Sequence, residues 1–136
     1  MIKHTTMIRV RYAEVDQMKY LYHPHYLSYM EIARTEMLRK AGYLYAELEQ
    51  SGIIMPVRDI RIKYMKPAHY DDLIRIEASM KEMPTSRLEV EYEFYNQDND
   101  LLCTSYVCLA FVDAVHNRLI RCPQVITQAL EPFFNK

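Results

Sequence analysis

The residues best placed to do chemistry lie between Asp16 and His25. Asp16 stands in an aperiodic stretch, Glu14 to His25, that ends where Pro24 can take the first position of a helix. A carboxylate so placed can draw a proton from water or attack an electrophile itself. The helix start beyond it offers unpaired backbone N–H groups and the positive end of a dipole, both of which favour an anion. Pro24 has no N–H, so a donor there has to come from His23 or His25. A plainer role is open to each residue: Asp16 as the cap of a turn or of the helix, Tyr22 and His23 as packing and capping groups.

Other candidates are weaker. His23 and His25 form a His-x-His pair, but no cysteine or carboxylate nearby completes a set of three or four ligands, so no metal is expected. His4, His69 and His116 are isolated and read as solvated or turn residues. Cys103 and Cys108, five apart, face opposite sides of a strand. Cys122 before Pro123 is the cysteine expected nearest the surface, and no activating partner is evident. Glu31 and Glu36 lie on the helix; an ion pair with Arg34 or Arg39 is the simpler account of Glu36.

The elements around this stretch follow from periodicity. Ile8, Val10 and Tyr12 alternate with Arg9 and Arg11, a short half-buried strand. From Pro24, Tyr26, Met30, Ala33, Met37 and Ala41 recur at helical steps, with Leu27 and Leu38 widening the stripe, and Gly42 stands where a left-handed stop belongs. Period-two alternation marks strands over 60–64, 74–81 and 88–94, separated by turn residues at 83–86 and 96–100. Residues 101–112 are apolar on both parities, as in a strand covered on both faces. Gln124 to Phe134 predicts a short helix after Pro123, interrupted by Pro132. One helix against one curled sheet is an α+β two-layer domain spanning 1–136, and its open strand edges invite a second copy.

Composition sets limits. The chain has 136 residues, 17 basic and 18 acidic, with a formal net charge of -1, so no basic excess advertises nucleic acid. Its longest apolar run, Val107 to Val112, is too short to span a membrane. Three cysteines suit a reduced compartment, and with no signal-like start a cytoplasmic protein is expected. Two glycines cannot build a phosphate loop or a dinucleotide turn, and a Gly-x-Ser-x-Gly elbow is absent.

The span from Arg9 to Gly42 resembles bacterial acyl-CoA thioesterases of the 4-hydroxybenzoyl-CoA thioesterase type, especially the YbgC-like branch. The resemblance rests on Arg11-Tyr12, Asp16, Tyr22-His23, Tyr26-Leu27 and the run Ala33 to Arg39. It continues in Tyr64, Lys66-Pro67-Ala68 and Asp71-Asp72. It implies a hotdog fold, one long central helix wrapped by a curled five- to six-stranded antiparallel sheet, in dimers or tetramers with sites at the dimer interface. It also implies hydrolysis of an acyl-CoA, with Asp16 catalytic, Tyr22 and His23 assisting, and the backbone at His23 holding the oxyanion. Coenzyme A would enter as part of the substrate, with no separate cofactor, against a cationic rim for which Arg58, Arg61, Lys63, Lys66, Ser86 and Arg87 are candidates. An acyl carrier protein thioesterase, a non-catalytic acyl-thioester-binding dimer and a hotdog dehydratase are the alternatives. The family's loop usually carries glycine two or three residues after the aspartate, where this chain has Met18 and Lys19. Either a side chain there is strained by about 1–2 kcal/mol, or the loop takes another path.

Overall fold

The computed structural model describes residues 1–42 and 45–134, with side chains described for all of these except 45–47. In chain order the elements are β1 (Ile2–Arg9), a 3₁₀ turn (Tyr12–Glu14), α1 (Pro24–Lys40), α2 (Tyr45–Gln50), β2 (Ile53–Ile54) and β3 (Val57–Tyr64). They continue with β4 (Leu73–Met80), β5 (Arg87–Tyr95), β6 (Leu101–Asp113), β7 (Arg118–Ile120), α3 (Gln124–Leu130) and a closing 3₁₀ turn (Glu131–Phe133). The main sheet runs β1-β4-β5-β6-β3, antiparallel throughout, and the short β2 and β7 also pair with β6.

The period-two segments became strands because each has one apolar parity to bury. Ile74, Ile76, Ala78 and Met80 on β4, and Leu88, Val90, Tyr92 and Phe94 on β5, are all buried. They form the inner face. β6 is buried without a break from Val107 to Phe111, as its two-sided apolar run requires. α1 packs against β1 and β4 through Tyr26, Tyr29, Met30, Ala33, Met37 and Leu38. Each such large side chain contributes about 1.5–3 kcal/mol by leaving water. Pro24 opens the helix, and Gly42 follows it at φ 92, a left-handed conformation that glycine adopts without steric cost.

Several expectations are corrected. The first strand is Ile2–Arg9, not Ile8–Tyr12, because its whole length pairs with β4 from Ile2↔Met80 to Arg9↔Leu73. Past it, the Val10 N–H donates to Asp72 O and Tyr12 enters the 3₁₀ turn. His4 consequently sits within a strand and is half-buried. Among the described residues the main sheet has five strands and the short β2 and β7 bring the total to seven, both too short to carry a readable period. The same brevity hid α2. Leu27 is 41% exposed and does not widen the buried stripe, whereas Tyr29 and Arg34 do. Among the described residues no helix is long and apolar enough to cross a membrane.

Candidate active site

Asp16 organises the loop in which it stands. Its Oδ1 accepts hydrogen bonds from the Met18 N–H at 2.9 Å and the Tyr20 N–H at 3.2 Å. Its own N–H donates to Tyr20 O, and its O accepts from the Lys19 N–H. The capping role is therefore real, and it uses one carboxylate oxygen. Oδ2 has no hydrogen-bond partner among the described residues and is left for other work.

This turn places Lys19 at φ 63, in the region that a side chain disfavours by about 1–2 kcal/mol. Of the two alternatives for Met18-Lys19, the first holds: the turn is left-handed at Lys19 and the lysine is strained. We expect Lys19→Gly to raise the unfolding free energy by about 0.5–1 kcal/mol, the strain relieved less the freedom glycine adds to the unfolded chain. An upward shift of the urea midpoint at constant slope would show it; a downward shift would refute it.

At the head of α1 the two possible donors separate. The His25 N–H donates to Tyr22 O at 2.9 Å, closing a turn. The His23 N–H has no acceptor among the described residues. His23 is the cap residue at φ -57, and Pro24 supplies no hydrogen. Among the described residues the His23 N–H is thus left as a free main-chain donor at the positive end of a 17-residue helix.

Asp16 and His23 line a common cleft of about 390 Å³, with Tyr20, Leu21, Tyr26, Tyr64, Met65, Lys66 and Pro67. Asp16 is the only carboxylate among these. The walls are aromatic: Tyr26 meets Tyr64 edge to face, centroids 5.1 Å apart, and leans on Phe94 at 5.7 Å. Burial pushes the Tyr26 phenol up to about 12 and the Cys103 thiol up to about 12, so both stay neutral at ordinary pH. Cys122, expected near the surface, is half-buried, and burial lifts its thiol to about 12 as well. None of these thiols is an activated nucleophile.

The remaining candidates are dispersed. Tyr22 is 47% exposed, lies against the His23 ring at 4.6 Å, and does not line the cleft. Lys66 does line it, 3.6 Å from Asp100. Arg61 and Lys63 share a face, as their spacing requires, but that face is the outer one. There they border a separate cavity of about 900 Å³ with Lys3, Lys81 and the glutamates of β5. Arg61 is paired with Asp59 at 3.1 Å and lies over the Tyr106 ring. Arg87 has the parity of Glu89 and Glu91, and Ser86 precedes it in the turn; neither lines the cleft. Glu36 pairs with Arg39, Glu31 is exposed, and both stand away from the cleft. Among the described residues no cluster of three or more His, Cys, Asp or Glu could hold a metal ion.

Sequence reasoning missed Glu14. This carboxylate is 5% exposed, and its Oε1 accepts from the Tyr29 hydroxyl at 2.7 Å and the Arg11 N–H at 2.9 Å. Arg11 Nη2 donates to Oε2 at 3.2 Å. The Arg11–Glu14 spacing of three is the one local signal that could have flagged it, but Tyr29 joins it only through the fold.

A curled antiparallel sheet packed against a helix, with a carboxylate loop ahead of that helix, defines a hotdog-type domain. The chain belongs to the Thioesterase-like superfamily, whose family model matches residues 10–130. It is 36% identical over 105 residues to the Bacillus subtilis protein YneP, covering 75% of this chain and 76% of that one. Over 106 residues it is 31% identical to the acyl-CoA thioester hydrolase YbgC of Escherichia coli, covering 78% of this chain and 79% of the relative. Among solved structures, the DHNA-CoA thioesterase of Staphylococcus aureus superimposes with a TM-score of 0.85 at 30% identity. That match covers 98% of this chain and 85% of the other.

Proposed function

We propose that this protein hydrolyses acyl-CoA thioesters to the free acid and CoA. The observation that carries the reading is a single cleft lined by a carboxylate with one oxygen uncommitted and by the residue whose main-chain N–H is unpaired at a helix start. Asp16 would either remove a proton from the water attacking the carbonyl carbon, or attack that carbon itself to give a mixed anhydride that water then cleaves. In each route the thiol of CoA leaves with a proton. The His23 N–H would hold the oxygen that becomes negative, with the Tyr22 side chain an outer support for the His23 ring. The names of relatives at 30% identity and above support the substrate class.

Lys66 is the cation we assign to the CoA chain. Arg61, Lys63, Ser86 and Arg87 would meet its nucleotide end only by way of a second copy. Such a copy is part of the reading. β3 has β6 as its one partner among the described residues, and its inner face leaves Ile60 37% and Tyr64 51% exposed. A homodimer that continues the sheet across β3 would cover them and make α1 the central helix of the domain, with a tetramer as the further step. The cytoplasm is the proposed compartment, in keeping with three unpaired cysteines.

Free thiol release from a panel of short, medium, long and aromatic acyl-CoAs tests the activity. Turnover of any member is the expected result. Binding without cleavage across the panel would favour an acyl-thioester-binding dimer, and cleavage of acyl carrier protein esters alone would move the substrate class.

A further inference from the structure

Glu14 ties together the two halves of the proposed site. Its main-chain O accepts from the Tyr22 N–H at 2.9 Å, one residue before the free N–H of His23. Its own N–H donates to Arg11 O, closing the 3₁₀ turn that follows β1. Two residues on is Asp16, and the Val15–Leu21 bridge closes the loop between them. The side chain reaches the other way, to the Tyr29 hydroxyl on the second turn of α1. A carboxylate this buried costs several kcal/mol unless it is hydrogen-bonded and paired, and here both oxygens are engaged.

We propose, resting on the hydrolytic reading above, that Glu14 and Tyr29 are positioning residues that hold the Asp16 loop in register with the head of α1. The distance between the Asp16 carboxylate and the His23 N–H is set by two segments that share no helix or strand. Glu14 is bonded to both: its side chain to α1, its main chain to the residue beside His23. Loss of that tie lets the loop shift relative to the helix, and a displacement of about 1 Å between reacting groups can cost about 10²-fold in rate. Burial alone would raise the Glu14 carboxyl; hydrogen bonds from Arg11 and Tyr29 outweigh it and hold the group below the usual glutamate range. Burial and the Glu14 partner push the Tyr29 phenol up, which keeps it a donor.

The test compares Glu14→Gln and Tyr29→Phe with the parent chain, reading kcat and KM on the preferred acyl-CoA and amide hydrogen exchange along the backbone. Glutamine keeps the oxygen that Tyr29 and the Arg11 N–H use but sets an amide against the Arg11 guanidinium. Phenylalanine removes only the hydroxyl. The expected result is a kcat about 10–100-fold lower in Glu14→Gln and about 10-fold lower in Tyr29→Phe, with KM within about 3-fold. Exchange at Tyr22 should rise about 10-fold while the sheet stays protected. An unchanged kcat in a folded Tyr29→Phe, or exchange that rises uniformly with global stability, would overturn the proposal. If Glu14→Gln does not fold, Tyr29→Phe decides alone. Should the parent chain cleave no ester, the functional reading fails, and selective exchange at Tyr22 still decides whether Glu14 holds the loop.

Discussion

Asp16→Asn is expected to lower acyl-CoA turnover by about 10²–10⁴-fold with the melting temperature almost unchanged. Asparagine keeps an oxygen where Oδ1 accepts from the Met18 and Tyr20 N–H groups, so the turn survives. What it removes is the negative charge and the basicity of the other oxygen. Asp16→Ala removes the cap as well. It should match the asparagine variant in rate but lose about 1–3 kcal/mol of stability, because two N–H donors lose their acceptor. The pair of variants therefore separates the structural from the chemical use of one side chain. If Asp16→Asn retains the parent rate, Asp16 is a cap only, and a carboxylate outside this cleft, such as Glu31 or Glu36, must be sought.

The second large effect is expected at His23, and only when its N–H is removed. His23 sits at φ -57, inside the range a proline ring imposes, and its N–H bonds to nothing among the described residues. His23→Pro should therefore fold and yet lose an oxyanion donor, which costs about 2.7–4 kcal/mol, or about 10²–10³-fold in kcat. His23→Ala keeps the N–H and should stay within about 10-fold of the parent. Stopped assays on both variants with one acyl-CoA would check it. Equal losses in the two would transfer the role to the imidazole, and a fully active His23→Pro would end the assignment to this N–H.

The helix and the long strands were legible because each has to bury one face. The three- and four-residue steps from Tyr26 to Met37 marked α1, and the alternations in β4 and β5 marked those strands. Pro24 and Gly42 bounded α1 for reasons of backbone geometry alone. Where the reading slipped, a partner far along the chain was decisive. β1 begins at Ile2 because β4 pairs with it there, and its inward positions His4 and Thr6 are polar, so no apolar period announces it. β2 and β7 exist as attachments to β6, and neither is long enough to declare itself.

The candidate site divides in the same way. The sequence by itself determined that a carboxylate precedes a helix opened by proline, and that any main-chain donor at its first position has to come from His23 or His25, because those are facts of residue type and spacing. Only the tertiary structure shows that the His25 N–H donates to Tyr22 O while the His23 N–H has no acceptor among the described residues. It also divided the cations, turning Lys66 into the cleft and Arg61 and Lys63 onto the opposite face of the sheet. Parity shows that two strand residues share a face, but not which face meets the helix. That choice belongs to the packing of α1 on the sheet, where Tyr26, Phe94 and Tyr64 come together from three separate parts of the chain. The same packing brings the Tyr29 hydroxyl onto Glu14 and converts a local Arg–Glu pair into a buried tie across the site.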